Sequence, residues 1–221
     1  MKLHLVVVLG IVLLVSQVSA QEKTDLRNQK EKMSYIIGMD IGNNLKKQSV
    51  EIDPNILAKG IRDALAGGKP LLTEQDIRET MVAFQKDMAA KHKKDGEAFL
   101  AENKKKDGVK ALPSGLQYKV IKKGSGKKPT SSDTVTTNYR GTLIDGTEFD
   151  SSYRRGQPAT FPVKGVIPGW TEALQLMEVG SKWQLFIPSN LAYGERGAAP
   201  SIGPNATLIF EIELVSIQEK K

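Results

Sequence analysis

Cysteine is absent from all 221 residues. The chain can therefore form no disulfide, no thiolate metal site and no lipid-modified amino-terminal cysteine, and its fold must rest on packing alone. Histidine is nearly absent as well: of the two, His4 and His92, only His92 lies beyond residue 20. Ser189 and Ser201 thus lack an imidazole partner in their own half of the chain, which argues against a Ser-His hydrolase. His92 stands alone among lysines and reads as surface, not as a metal ligand. Long apolar runs are scarce. The run from Leu5 to Val15 follows Lys2 and precedes Val18-Ser19-Ala20, the pattern of a secretory signal over residues 1–20. It is shorter than the roughly 20 apolar residues of a spanning helix, so the expectation is a soluble exported protein, periplasmic or secreted, without a stable membrane anchor.

Charge is unbalanced towards the basic side, with 32 Lys and Arg against 25 Asp and Glu. Lys2 would leave with the signal, lowering the formal charge of +7 by one. Much of the excess sits in short runs such as Lys91-His92-Lys93-Lys94 and Lys104-Lys105-Lys106. No stacking motif accompanies these lysines, so they read as solvated surface and no nucleic acid is expected as a partner.

Between Thr24 and Lys110 only Pro54 and Pro70 interrupt a composition rich in Lys, Glu, Ala, Leu and Met, which is helical. A first helix is predicted from about Thr24 to Gln48, with a stripe of Met33, Ile36, Ile37, Ile41 and Leu45 interrupted by Asp40. A second starts at the Asp53 cap, with Pro54 in its first position, and stops at Gly67-Gly68; Ile56, Leu57, Ile61, Ala64 and Leu65 form its predicted buried face. Thr73 caps a third, which nothing stops cleanly before Asp107-Gly108, a length on the order of 50 Å. Its stripe of Ile77, Met81, Phe84 and Met88 predicts a packed root, and the Lys- and Glu-rich remainder a solvated rod supported by Asp87–Lys91 and Glu102–Lys106 pairs. The alternative is two helices broken near Gly96.

After Pro113 the period becomes strand-like. Strands are predicted at Leu116–Val120, Val135–Tyr139, Thr147–Phe149, Lys182–Ile187 and Leu208–Ile217, with a hairpin at Asp145-Gly146 and one short helix from Trp170 to Met177. The result is α+β: an antiparallel sheet of about 110 residues with one helix laid across it. Aromatics recur at the strand edges while no catalytic nucleophile or base of the usual kind accompanies them. That combination suggests a dry pocket suited to chemistry without proton transfer, and nothing in it calls for a cofactor or a metal.

The blocks Asn138-Tyr139-Arg140-Gly141-Thr142, Phe149-Asp150-Ser151-Ser152, Val166-Ile167-Pro168-Gly169-Trp170, Leu191-Ala192-Tyr193-Gly194 and Asn205-Ala206-Thr207-Leu208-Ile209-Phe210 stand in the order and spacing of the FKBP family of peptidyl-prolyl cis-trans isomerases, which this half of the chain resembles. Ser34-Tyr35-Ile36-Ile37-Gly38-Met39-Asp40-Ile41-Gly42 and Ser114-Gly115-Leu116-Gln117-Tyr118 extend the resemblance to the Mip-like and FkpA-like branch. It implies a helical dimerisation domain over residues 21–72, a long connecting helix over 73–110 and an isomerase domain over 111–221, in an exported homodimer acting on proline-containing unfolded proteins.

By position, the resemblance assigns Trp170 as the pocket floor and Tyr139, Phe149, Phe161, Val166, Ile167, Tyr193, Ile202 and Phe210 as walls. The Ile167 N–H and the Tyr193 hydroxyl would each hold a substrate carbonyl. Asp150 would lie beside the reacting amide, supported by Tyr139 and Arg155. Tyr139, Phe149, Asp150 and Tyr193 are the candidate catalytic residues; Met33, Ile37, Gly38, Met39, Ile41 and Gly42 are the candidate dimer contacts. Ala159 and Ala198–Ser201 replace bulkier residues of the family pattern, which bears on pocket width and on affinity for macrolides of the rapamycin class. A second reading stays open: a holdase chaperone that captures proline-containing segments, with incidental isomerase activity.

Overall fold

In a computed structural model of the chain, residues 25–47 and 50–218 are described. The predicted signal and the outermost residues of the first predicted helix lie outside them. Two compact units are present, one ending at Glu51 and one running from Ile52.

The first unit contributes α1, Gln29–Lys47. Met33, Ile36, Ile37 and Met39 on this helix are all about half exposed, and a Cβ built on Gly38 or Gly42 would meet nothing within 4 Å. Ile41 and Leu45 are partly buried, and the rest of its apolar stripe is exposed.

The second unit begins with α2, Pro54–Leu65, capped by the Asp53 carboxylate, which accepts from the N–H groups of Asn55 and Ile56. Gly67, at φ 65°, closes it in the left-handed conformation that glycine tolerates. The predicted buried face is exposed instead: Ile56, Leu57, Ile61, Ala64 and Leu65 all face outward, because no other helix of this unit lies over them among the described residues.

Helix α3, Glu74–Asn103, starts at a reciprocal Thr73–Asp76 capping box and runs unbroken through Gly96 for 30 residues, about 45 Å at 1.5 Å per residue. The predicted order of packing along it is reversed. Ile77, Met81, Val82 and Phe84 in its first half are exposed, whereas Gly96 and Asn103 in its second half are buried. The reason is steric: a Cβ at Gly96 would lie 2.2 Å from Thr207 Oγ1, so only glycine lets the helix approach the sheet this closely. Phe99 then packs on Phe186 with ring centroids 6.0 Å apart, and the buried Asn103 amide donates to Gln117 Oε1. The predicted ion pairs also shift register. Lys91 pairs with Asp95 at 2.9 Å, Glu102 pairs with Lys105 at 2.7 Å, and Lys106 lies over the Phe99 ring.

Seven antiparallel strands follow, β1 (Val109–Ala111), β2 (Gln117–Lys122), β3 (Thr134–Leu143), β4 (Glu148–Ser151), β5 (Ala159–Pro162), β6 (Lys182–Ile187) and β7 (Leu208–Ile217). Their order is β1-β2-β6-β7-β3-β4, with β5 also on β3. The ten-residue β3 serves both: Thr134–Thr137 pairs with β5 and Arg140–Thr142 with β4. The short β1 and β5 were not anticipated, since three or four residues carry too little alternation to register. Along β3, Val135, Thr137, Tyr139 and Gly141 turn inward at period 2. Helix α4, Pro168–Leu174, lies over this inner face and buries Trp170, Ala173 and Leu174. A Cβ at Gly169 would sit 2.6 Å from Ile187 Cγ2, so this glycine sets how close α4 comes to the sheet.

Candidate functional site

At the open end between α4 and the sheet lies a cavity of about 560 Å³. Trp170, 3% exposed, forms its floor because Pro168 starts α4 and places the indole in the first turn, over the sheet. Tyr139, Phe161 and Phe210 meet the indole edge-on, at centroid distances of 5.1, 5.8 and 5.1 Å and interplanar angles of 84°, 86° and 84°. Edge-to-face contacts of this kind favour the aromatic quadrupoles and fix the rings against one another. Phe149 adds a fourth wall, edge-on to Phe210 at 5.4 Å. A Cβ at Gly141 would fall 2.6 Å from the Phe149 ring and 2.7 Å from that of Phe210, so the aromatic corner needs glycine there.

Ten of the eleven residues proposed from the sequence for the pocket line this one cavity: Tyr139, Phe149, Asp150, Phe161, Val166, Ile167, Trp170, Tyr193, Ile202 and Phe210. The eleventh, Arg155, is not part of the lining. It stands behind Asp150, its guanidinium bonded to Asp150 Oδ1 and, at 2.6 Å, to the Tyr139 hydroxyl. Gly165, Ala198 and Ser201 complete the lining, whereas Ala159 packs on the core and does not reach the cavity. Gly165 was missed because a residue without a side chain leaves no chemical signal in sequence. Ser152, directly after β4, is a further site residue whose role its sequence block does not reveal: its buried hydroxyl accepts from the Tyr139 N–H at 2.8 Å and so ties the end of β4 to β3.

The one carboxylate in the lining is tied down. Tyr139 donates to Asp150 Oδ2 at 2.5 Å and the Ser151 N–H to Oδ1 at 2.8 Å. Burial opposes the ionised form of Asp150, but donation by Tyr139 and Arg155 and the guanidinium charge outweigh it, holding the carboxyl below its ordinary value. The same arrangement keeps the Tyr139 phenol neutral: burial, then donation to Asp150, raises its pKa. Burial and the Asp150 charge raise that of Tyr193.

Donors around the cavity without an acceptor among the described residues include the Ile167 backbone N–H, the Tyr193 hydroxyl and, fully buried at the floor, Trp170 Nε1. A dry box of rings with the Ile167 N–H and the Tyr193 hydroxyl free beside it can take an apolar ring and hold the carbonyls flanking it. Ser201, the one aliphatic hydroxyl in the lining, has no hydrogen-bonded base among the described residues to activate it. His92 lies elsewhere and is not the surface residue expected: its ring is partly buried and its Nδ1 lies 2.9 Å from the Pro204 carbonyl oxygen.

Comparison with known proteins agrees with this geometry. Residues 125–215 match the family described as FKBP-type peptidyl-prolyl cis-trans isomerase, and residues 30–120 match the domain amino terminal to it. The chain is 49% identical to "Outer membrane protein MIP" of Legionella longbeachae over 99% of this chain and 98% of that one. It is 44% identical to the peptidyl-prolyl cis-trans isomerase Mip of Coxiella burnetii, covering 91% and 93%. The crystal structure of FkpA from Escherichia coli superposes with a TM-score of 0.59 at 40% identity, covering 88% of this chain and 99% of that one. With both halves matched in order and the relatives covered almost end to end, this chain belongs to the FKBP-type peptidyl-prolyl cis-trans isomerases, in their Mip and FkpA branch.

Proposed function

We propose that the cavity over Trp170 is where this isomerase turns the Xaa-Pro bond, and that its work is electrostatic. Rotation must break amide resonance, a barrier of about 18 to 20 kcal/mol. Water stabilises the planar, dipolar amide over the twisted one, and an apolar box removes that advantage. The prolyl ring sits on the Trp170 indole, the Ile167 N–H and the Tyr193 hydroxyl take the flanking carbonyls, and the ionised Asp150 lies beside the carbonyl of the rotating amide. No proton needs to move. Tyr139 and Arg155 act through Asp150 by keeping it charged and in place. The observation that carries this reading is the pairing of a closed aromatic floor with two unpartnered donors beside it, the Ile167 N–H and the Tyr193 hydroxyl. A proline-peptide isomerisation assay on the wild type and Asp150→Ala tests it: turnover should drop by at least about tenfold, on the scale of a lost transition-state contact, with the fold intact.

The working division is residues 21–72 for association, 73–110 as connecting helix and 111–221 as catalytic domain, in an exported homodimer that acts on proline-containing unfolded proteins. The half-exposed stripe of Met33, Ile37 and Met39, with Ile41 beside it and open space over Gly38 and Gly42, supports self-association through α1. The name of the Legionella relative supports an envelope destination, and among the described residues no helix is long and apolar enough to cross a membrane. A macrolide of the rapamycin class would enter the same cavity, which Ser201 lines in place of a bulkier contact. One observation favours the holdase reading beside catalysis: Ile56, Ile61, Ile77, Met81 and Phe84 expose a broad apolar surface on α2 and the first half of α3.

A further inference from the structure

One wall of the cavity is irregular chain. Residues 189–207 supply Tyr193, Ala198, Ser201 and Ile202; their own backbone bonds are short-range, running from the Ala192 N–H to the Ser189 carbonyl at 3.0 Å and the Gly197 N–H to the Gly194 carbonyl at 3.4 Å to the Ala198–Ile202 pair and the Asn205 N–H to Gly194 carbonyl bond at 2.8 Å. Leu191, Ala192, Ala198, Ile202 and Ala206 also pack on the core, and further contacts come from α3. The His92 Nδ1–H donates to the Pro204 carbonyl at 2.9 Å, the Asn205 side-chain amide reaches the Ala89 carbonyl at 3.4 Å, and Gly96 seats Thr207. Residues 89, 92 and 96 share one helix face at i, i+3 and i+7, so α3 meets the segment as a ladder of three rungs.

We propose that His92 is a positioning residue for the isomerase, holding the Ile202 wall of the prolyl pocket from the far side. The chain of contact is short. The imidazole abuts Gly203, where a built Cβ would lie 2.5 Å from His92 Cε1, and it bonds the next carbonyl. Gly203 follows directly on Ile202, which is 7% exposed and lines the cavity. His92 touches neither substrate nor Asp150; it acts through the backbone at 203–204. The connecting helix is in this sense part of the catalytic domain's pocket, and its bending would reach the substrate through this wall. The proposal rests on the cavity being the prolyl site.

The test is steady-state isomerisation of a short proline peptide by the full chain carrying His92→Ala, His92→Asn, Gly203→Ala, or His92→Ala with Gly203→Ala, beside Asp150→Ala. For His92→Ala, kcat/KM should fall about threefold to tenfold, the range of one hydrogen bond, through KM more than kcat. Asparagine, whose amide can stand where Nδ1 stood, should restore most of it. Gly203 does not adopt the left-handed backbone, and the three atoms nearest a Cβ built there all belong to the His92 ring. Gly203→Ala should therefore impair the wild type and be tolerated once His92 is Ala, a coupling that a loss of general stability would not produce. Unchanged KM in His92→Ala with collapse in Asp150→Ala overturns the role of His92 alone, as do simply additive effects of the two substitutions. No loss in Asp150→Ala overturns the pocket assignment itself. Should His92→Ala fail to fold, the Gly203→Ala variant still decides: wild-type kinetics there refute the contact.

Discussion

At the scale of the residue, Asp150 is the group whose charge the site is arranged to keep. Its folded-state pKa is depressed, so the stability it contributes is fully present above the ordinary carboxylate value of 3.8 and is lost as pH falls through the lower folded value. Activity should therefore stay flat from pH 8 to about pH 5 and decline only on the acid side of the ordinary carboxylate range. In Tyr139→Phe the carboxylate loses its phenolic donor while its burial remains, and the acid limb of the profile should move to higher pH. A profile unchanged by that substitution would separate Tyr139 from the ionisation of Asp150. The identities of these residues were legible from ordered blocks. The support of Asp150 by Tyr139 and Arg155 was legible in the same way; what sequence could not carry is Gly165 in the lining, because a residue without a side chain leaves no chemical signal.

At the scale of the element, α3 is where local pattern misled. Its first half has the apolar spacing of a packed helix, and its second half the charge of a solvated one, yet burial runs the other way within the chain. Gly96 reads locally as a helix breaker costing about 1 kcal/mol relative to Ala. Its actual place is the closest approach of α3 to Thr207, so Gly96→Ala should destabilise by about 1–3 kcal/mol through overpacking despite its better propensity. Asn103→Ala should cost about 1–3 kcal/mol, since it strands the Gln117 carbonyl oxygen in a buried position. Both are read as urea midpoints, with a two-state fit checked by a constant slope. A midpoint for Gly96→Ala above that of the wild type would mean the helix relaxes away from Thr207 freely.

At the scale of the whole molecule, the apolar stripes of α1, α2 and the first half of α3 remain uncovered in one chain, and burial of such surface is worth roughly 25 cal/mol per Å². Light scattering on the mature protein should give a dimer mass. Met39→Lys should shift it towards a monomer while leaving turnover of a short peptide within about twofold, since α1 contributes nothing to the cavity lining. A monomeric wild type would refute the association. With no cysteine in the chain, thermal stability should be the same with and without a thiol reductant.

The class of fold, the export signal as an expectation, and the members of the pocket were legible in the residues alone, because these rest on period, capping residues and ordered blocks that are local in the chain. The Asp53 and Thr73 caps and the inward alternation of β3 appear where they were expected for the same reason. Which half of α3 is buried, and that His92 bonds the pocket wall 112 residues away, came from the three-dimensional packing alone. Each depends on a contact between segments remote in sequence. Such contacts are set by a missing Cβ or a single donor, features to which hydrophobic periodicity is blind.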